Sequence, residues 1–200
     1  LLGGLRGAAQ MISYEVALLA ILAGPLFLYG TLDLTEAVRW QARSIGHILP
    51  AWGIFLQPLA FILFMTAGAA ETKRAPFDLP EGEAEIVGYF VEYSGMKFGM
   101  FLTTDFLESI VLAGMATALF LGGWHVPGLV HLGLPQPVFA LLGVGAFCAK
   151  LLGVLWLLMQ IRWTLPRFRF DQLLDLGWKN VLPLALANLL VTVWTVTLLS

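Results

Sequence analysis

The residues that could carry chemistry in this sequence are mainly carboxylates, and one short stretch holds many of them. Residues 71–95, ETKRAPFDLPEGEAEIVGYFVEYSG, contain six of the 13 acids beside two adjacent cations, Lys73 and Arg74. Carboxylates held close together away from water have raised pKa values and can exchange protons. The acids of this stretch are Glu71, Asp78, Glu81, Glu83, Glu85 and Glu92.

A further acid, Glu15, lies inside the apolar segment AAQMISYEVALL. An ionisable group at the centre of a membrane costs about 2.5–3.5 kcal/mol on insertion scales, so it usually faces protein and is functional. Gln10, Ser13 and Tyr14 lie within a turn or two of Glu15. We therefore expect this polar stripe to face protein rather than lipid.

Asp105 and Glu108 are two further acids inside an apolar segment. They are three residues apart and therefore share one helix face. Acids on two helices beside an acid-rich connection are typical of proton relays. In the alternative, structural interpretation, Lys150 pairs with an acid to fix helix register, and Asp105 or Glu108 lies at a wet helix end.

Other kinds of site have little support. The single cysteine, Cys148, excludes an internal disulfide and a CxxC-type iron–sulfur or zinc site within this chain. The histidines are scattered, so we expect no metal site, and the cations form no patch that indicates nucleic acid. Any metal redox centre would therefore belong to a partner.

The elements that must position these acids are membrane helices. The chain is 59% hydrophobic and 12% charged, which is typical of an integral membrane protein. About five apolar stretches are long enough to cross about 30 Å of hydrocarbon. The sequence thus predicts an all-α polytopic protein, a single membrane domain over residues 1–200, with a long acidic loop (71–97) and spans near 8–29, 52–70, 98–121, 138–161 and 181–199.

The distribution of Lys and Arg predicts the orientation. Eight of these residues fall on the side of the acidic loop and two, Arg39 and Arg43, on the other. We therefore expect the acidic loop on the cytoplasmic side.

Two polar connections have distinct patterns. Pro76 and Pro80 favour an extended turn around Phe77 and Asp78, where Asp78 can act as an N-cap or turn acceptor. Apolar residues interleaved with the following acids favour burial against a partner over a solvated surface.

The connection RWTLPRFRFDQLLDLGWKN alternates cations with aromatics, and it is either an interfacial anchor or a docking surface.

Three stretches together resemble a known family: AAQMISYEVAL, AETKRAPFDLPEGEAEIVGYFVEYSGMKF and TLPRFRFDQLLDLGWKNVLPL. They are similar to signature regions of the membrane subunit of respiratory complex I that is called H in bacterial NADH–quinone oxidoreductase and subunit 1 in mitochondria. Family members have three more spans and an amphipathic helix before the position of Leu1. The resemblance implies that this chain is the C-terminal portion and does not bind quinone competently alone.

The resemblance also implies a function. Members of this family form part of the quinone chamber together with peripheral-arm subunits, one of which carries the terminal iron–sulfur cluster, and they contact small membrane subunits. Quinone is then the substrate, iron–sulfur clusters and flavin belong to partners, and this chain holds no cofactor. The location that the resemblance implies is the bacterial cytoplasmic (inner) membrane.

The resemblance assigns roles residue by residue. Carboxylates of the proton path match Glu15, Glu71, Asp105 and Glu92, with Asp105 standing where Glu is usual. The acidic triplet of the loop matches Glu81, Glu83 and Glu85. The positions of the quinone chamber match Lys73, Arg74, Phe77 and Asp78, and Lys73 stands where the family usually has Asn.

Two other hypotheses stay open. Related subunits anchor membrane-bound hydrogenases and formate hydrogenlyases, which reduce protons and should be insensitive to quinone-site inhibitors. The chain could instead be an independent ion transporter, although it shows neither a repeat nor paired interrupted helices.

Overall fold

Helices account for nearly all of the described structure. A computed structural model describes residues 2–45, 49–73, 76–78, 93–128 and 135–199. Two-residue strands, β1 (Ser44–Ile45) and β2 (Leu49–Pro50), pair antiparallel. The helices are α1 (Leu2–Tyr29), α2 (Leu34–Gln41), α3 (Gly53–Leu56), α4 (Pro58–Glu71), α5 (Met96–Phe120), α6 (Gln136–Thr164), α7 (Phe170–Asp175) and α8 (Leu182–Leu199), with a π-helical turn (Leu176–Val181) between the last two.

Four helical runs are long and apolar enough to cross a membrane: Gly3–Tyr29, Met96–Phe120, Gln136–Thr164 and Phe170–Leu198. The last run covers residues 181–198 of the predicted span 181–199 but begins 11 residues earlier, at Phe170. The π-helical turn accommodates an extra residue without ending the helix, so α7 and α8 are continuous.

The second predicted span, 52–70, differs from the structure. The chain forms the short helix α3, breaks at Gln57 (φ −135°, ψ 64°), and continues as α4, which has 14 residues. Pro58 causes the break because proline lacks an N–H and its ring clashes with the carbonyl of the preceding turn. At 1.5 Å per residue α4 is about 21 Å long, shorter than the hydrocarbon core.

The core places α4 between α1 and α5. α1 packs along both α4 and α8, and α5 packs against α6. Phe61 and Phe64 of α4 each lie 5.5 Å from the Phe120 ring of α5, measured between ring centroids. Gly68 permits a close approach, because a Cβ at this position would overlap the side chain of Leu112. This contact brings the carboxyl end of α4 beside the acid-bearing part of α5.

Candidate functional site

Gln10 of α1 connects three parts of the chain at one end of the bundle. Its side chain is fully buried. The Nε2 group donates to the carbonyl of Ala70 at 2.7 Å and to the carbonyl of Phe77 at 3.0 Å. The two carbonyls lie on either side of Glu71 in the sequence, so the amide holds the backbone around this acid against α1.

Phe77 fills the space between α1 and the connection before α7. Its side chain is 4% exposed, and its ring stacks on Phe168 with centroids 5.4 Å apart and planes 9° apart. The centroid of the Tyr14 ring lies 6.5 Å from that of the Phe77 ring. The backbone N–H of Phe168 donates to the carbonyl of Pro76 at 3.2 Å. Residues 76–78 are therefore fixed by both packing and hydrogen bonds.

The three polar neighbours of Glu15 on α1 face protein, as expected, whereas the expectation that Glu15 faces protein is wrong within the described structure. Tyr14 is fully buried, and its hydroxyl donates to the carbonyl of Leu173 at 2.9 Å. Ser13 is 9% exposed and accepts from the Trp178 Nε1–H at 3.1 Å. These bonds fasten α1 to α7 and the π-helical turn. Glu15 itself lies on the exposed side of α1.

Asp78 forms an ion pair rather than only a local turn contact. Its Oδ2 accepts from the Arg167 Nη2 at 3.0 Å, and the side chains are 18% and 47% exposed respectively. Exposed pairs of this kind stabilise a protein by about 0–1 kcal/mol. The pair therefore mainly fixes the position of residues 76–78 against the connection before α7.

A cavity of about 350 Å³ lies where α1, α4 and α5 meet, and it brings two of the acids together. Met11 contributes from α1, and Glu71 and Thr72 from the end of α4. The α5 side is lined by Thr104, Leu107, Glu108, Val111, Leu112 and Met115. The mixture of carboxylates, hydroxyls and apolar side chains suits a site that can admit water beside ionisable groups.

Glu71 lies outside the four spanning runs, and its environment favours the protonated form. Burial raises the pKa of its carboxyl, and the charges of Glu15 and then Glu108 raise it further, whereas Lys73 lowers it. A carboxyl with a raised pKa is suited to proton exchange near neutral pH. The arrangement thus groups three acids from three helices in one electrostatic neighbourhood.

Lys73 ends α4 with a left-handed residue. Its φ is +52°, and its N–H donates to the carbonyl of Ala70 at 3.4 Å. Left-handed residues commonly close helices, although glycine is the usual choice. The resulting turn carries the chain from Glu71 towards Phe77, with Lys73 half-buried.

The structure locates some predicted site residues and not others. Asp105 is half-buried on α5 and is not among the described residues that line the cavity; Glu108, one turn further along, lines it instead. The spacing of three between these acids was the sequence signal that pointed to Glu108. Five predicted residues lie outside the described part of the chain: Arg74, Glu81, Glu83, Glu85 and Glu92.

Lys150 does not pair with an acid in the described structure. Its Nζ donates to the carbonyls of Leu121, Gly123 and His125 at 2.8, 3.0 and 2.7 Å. The structural interpretation in which Lys150 binds a carboxylate is therefore wrong, because the carbonyls at the end of α5 occupy all three N–H donors. Within the described ranges, no three His, Cys, Asp or Glu side chains are placed to hold a metal ion.

Four candidate spanning helices, with partly buried acids at one end of the bundle, define an integral membrane protein of the polytopic helical class. The chain belongs to the NADH dehydrogenase family, whose model matches residues 1–193.

Its curated relatives are named as H-type subunits of NADH-quinone oxidoreductase. The chain is 46% identical over 199 residues to one such protein from Geobacter metallireducens, covering 99% of this chain and 55% of the relative. It is 40% identical to the corresponding protein of Cytophaga hutchinsonii, covering 96% and 55%, and 41% identical to that of Bdellovibrio bacteriovorus, covering 100% and 58%. The chain thus spans about half the length of the curated relatives it matches.

Proposed function

We propose that this chain is part of the H-type membrane subunit of a proton-translocating NADH:quinone oxidoreductase. In this role it forms part of the quinone-binding chamber and couples quinone reduction to proton movement. Catalysis belongs to the assembled enzyme and not to this chain alone. The names of the relatives and the family match over residues 1–193 support this proposal.

The observation that supports the proposal is that the three stretches on which the family resemblance rests meet in the structure. Gln10 and Tyr14 come from the first stretch, Phe77 from the second and Phe168 from the third, and all meet at one end of the bundle. Residues more than 60 positions apart in the sequence have no local reason to meet. Their contact supports one shared site.

The proposed mechanism begins with a change of charge in the quinone chamber. Reduction of a quinone requires two electrons and two protons, and it changes the field acting on nearby carboxylates. Glu81, Glu83, Glu85 and Glu92 of the cytoplasmic loop respond first. Protonation then passes through Glu71 to Glu15 and to the α5 acids, Asp105 and Glu108, and onward to neighbouring membrane subunits.

Four residues next to Glu71 are assigned to the chamber. Phe77 supplies an apolar wall whose orientation is fixed by Phe168 and Tyr14. Asp78 is held by Arg167, and Lys73 and Arg74 supply positive charge that favours an anionic reduced quinone. Peripheral-arm subunits, including the carrier of the terminal iron–sulfur cluster, complete the chamber. The flavin also belongs to partners, and the enzyme lies in the bacterial inner membrane.

Substitution of the two central acids in the assembled complex tests the proposal. In proteoliposomes, Glu71→Gln and Glu15→Gln should retain electron transfer from NADH to an artificial acceptor. Both should lose quinone-coupled proton pumping, since a neutral amide cannot carry the proton. Glu36→Gln is the matched control, because Glu36 is exposed on α2 and bonds only to Thr31 among its described partners.

If both acid variants pump protons as the wild type does, Glu71 and Glu15 do not carry the proposed path. Quinone-site inhibitors such as rotenone or piericidin separate the proposal from a hydrogenase anchor. Inhibition of the wild-type complex is expected, and complete insensitivity would contradict the quinone assignment.

A further inference from the structure

Lys150 is a cation held near the middle of a membrane-spanning helix. It is the fifteenth of the 29 residues of α6. At 1.5 Å per residue it lies about 21 Å from either end of that helix. A lysine inside an apolar spanning helix is expensive unless the protein satisfies its ammonium, and such residues usually have a function.

Backbone carbonyls satisfy the ammonium. Three oxygens, from Leu121, Gly123 and His125, accept at 2.7–3.0 Å, and the Trp52 ring lies 4.4 Å from Nζ. A neutral amine has only two N–H donors and would aim its lone pair at one of these oxygens. Three acceptors at these distances match the three N–H donors of an ammonium.

The cage of carbonyls is itself rigidly held. Gln41 donates to the Ala118 carbonyl at 2.8 Å and accepts from the Gly122 N–H at 3.1 Å, and the Tyr29 hydroxyl donates to the Leu119 carbonyl at 2.6 Å. Gly122 adopts φ +69°, and a Cβ there would overlap the Trp52 indole. The end of α5 is thus fixed by side chains from α1, α2 and α6.

The acids of α5 lie far along the helix from the carbonyls that bind Lys150. Glu108 lies 13 residues before Leu121, which corresponds to about 20 Å along the helix. The intervening residues 109–120, SIVLAGMATALF, contain no ionisable side chain. Ser109 and Thr117 donate to carbonyls of their own helix, at Asp105 and Ala113. On α5, protonatable groups therefore stop at Glu108, and the next charge towards the other end is positive.

We propose that the caged ammonium of Lys150 is an electrostatic barrier that prevents protons on the acid cluster from leaking through this chain to the opposite side of the membrane. Fixed positive charges and oriented dipoles exclude protons from pores in the same way. The carbonyl cage keeps the charge in place without a carboxylate, and a carboxylate would cancel the barrier and offer a proton-binding group. Two ion pairs of the described residues, Asp78 with Arg167 and Asp175 with Lys179, do not involve Lys150.

This inference rests on the proposed function, because it assumes that the acid cluster carries protons. It adds that the chain directs them sideways, towards neighbouring subunits, by blocking the direct route across the bilayer. Lys150 is a barrier residue in this scheme and does not itself accept the transported proton.

The test measures passive proton conductance of the assembled complex in proteoliposomes. A potassium diffusion potential drives proton entry, which an internal pH dye reports, with no NADH present. Lys150→Gln removes the charge but keeps amide donors for the cage. Its conductance should rise about fourfold, the effect of one unit charge about 20 Å from the acid cluster at an effective dielectric constant of about 20.

Two control variants separate charge from structure. Lys150→Arg keeps the charge and should retain wild-type conductance. Lys179→Met removes an exposed lysine that pairs with Asp175, and it should also leave the conductance unchanged. With NADH and quinone supplied, Lys150→Gln should keep its rate of quinone reduction but build a smaller pH gradient.

A second variant covers the case in which Lys150→Gln does not assemble. Ala146→Glu places a carboxylate one helical turn from Lys150, so it neutralises the charge without removing the ammonium or its cage. Its conductance should rise relative to Ala146→Gln. Wild-type conductance in assembled Lys150→Gln, or in Ala146→Glu, overturns the barrier. Failure of wild-type quinone reduction to pump protons would instead contradict the proposed function, since the leak is measured without turnover.

Discussion

Replacing Gln10 with leucine tests whether this amide holds the backbone around Glu71. Leucine is similar in size but removes both hydrogen bonds, which leaves the carbonyls of Ala70 and Phe77 without this donor. The Phe77 carbonyl is then left unpaired, which costs about 1–3 kcal/mol. The Ala70 carbonyl keeps a longer bond from the Lys73 N–H and loses only the bond to Gln10, about 0.5–1.5 kcal/mol, so the two changes together cost about 1.5–4.5 kcal/mol.

One feature of the native side chain offsets part of this cost. The Oε1 of Gln10 is buried and accepts no hydrogen bond from the described residues. Leucine removes this unpaired acceptor and so recovers about 1–3 kcal/mol. The net expectation for Gln10→Leu is a loss of about 0.5–1.5 kcal/mol in the free energy of unfolding, smaller than the two hydrogen bonds alone suggest.

The assay is unfolding of the purified chain in mixed micelles by titration with sodium dodecyl sulfate, followed by tryptophan fluorescence. Trp178 is a convenient reporter because its indole donates to Ser13, one turn from Gln10. Gln160→Leu, at a half-buried position on α6, is the matched control and should change stability by less than about 0.5 kcal/mol. A Gln10→Leu variant as stable as this control would refute the role of the amide.

Two further predictions concern charged groups of the same region. Arg167→Gln and Asp78→Asn should each lower the free energy of unfolding by no more than about 1 kcal/mol. In a double-mutant cycle, the double variant should lose no more than the larger of the two single losses. Additive losses would mean that the pair does not interact. Glu71→Gln should stabilise the chain at pH 8 and have little effect at pH 4, measured by the same unfolding assay at both pH values. The reason is that the folded-state pKa of Glu71 is raised above its ordinary value of 4.5. The stability of the wild type therefore falls as the pH rises above that value. A change in stability that is the same at both pH values would contradict the raised pKa.

The apolar stretches of the sequence predicted most of the helices because length and hydropathy alone decide whether a helix can cross a membrane. The break at Gln57 was not predicted, although Pro58 was visible. Proline is tolerated in membrane helices where neighbours satisfy the freed backbone groups, so its presence does not decide between a kink and a break.

The sequence could indicate acids of the candidate site, but it could not indicate the contacts that hold the site in place. Carboxylates in apolar segments stand out because they are costly there, and this pointed to Glu15, Asp105 and Glu108, whereas Glu71 was predicted from the acidic stretch 71–95. Of these acids, Glu71 and Glu108 line the cavity and Asp105 is not among its described lining residues. The pairing of Arg167 with Asp78 joins residues 89 positions apart, and no local pattern encodes such a contact. The partners of Lys150 were misjudged for a related reason, because backbone carbonyls are present in every sequence and only the fold shows where three converge.

Two glutamine side chains fix the helix that carries Glu71 at both of its ends. Gln57 precedes α4, and its Nε2 donates to the Thr192 hydroxyl of α8 at 2.9 Å. Gln10 binds the Ala70 carbonyl at the other end, one residue before Glu71. A break followed by a short, doubly anchored helix therefore sets the depth of Glu71 more tightly than a continuous span, which can slide or tilt against its neighbours. Proton transfer requires groups within hydrogen-bond reach or one water apart, so a fixed depth for Glu71 is what the proposed path through the cavity with Glu108 demands.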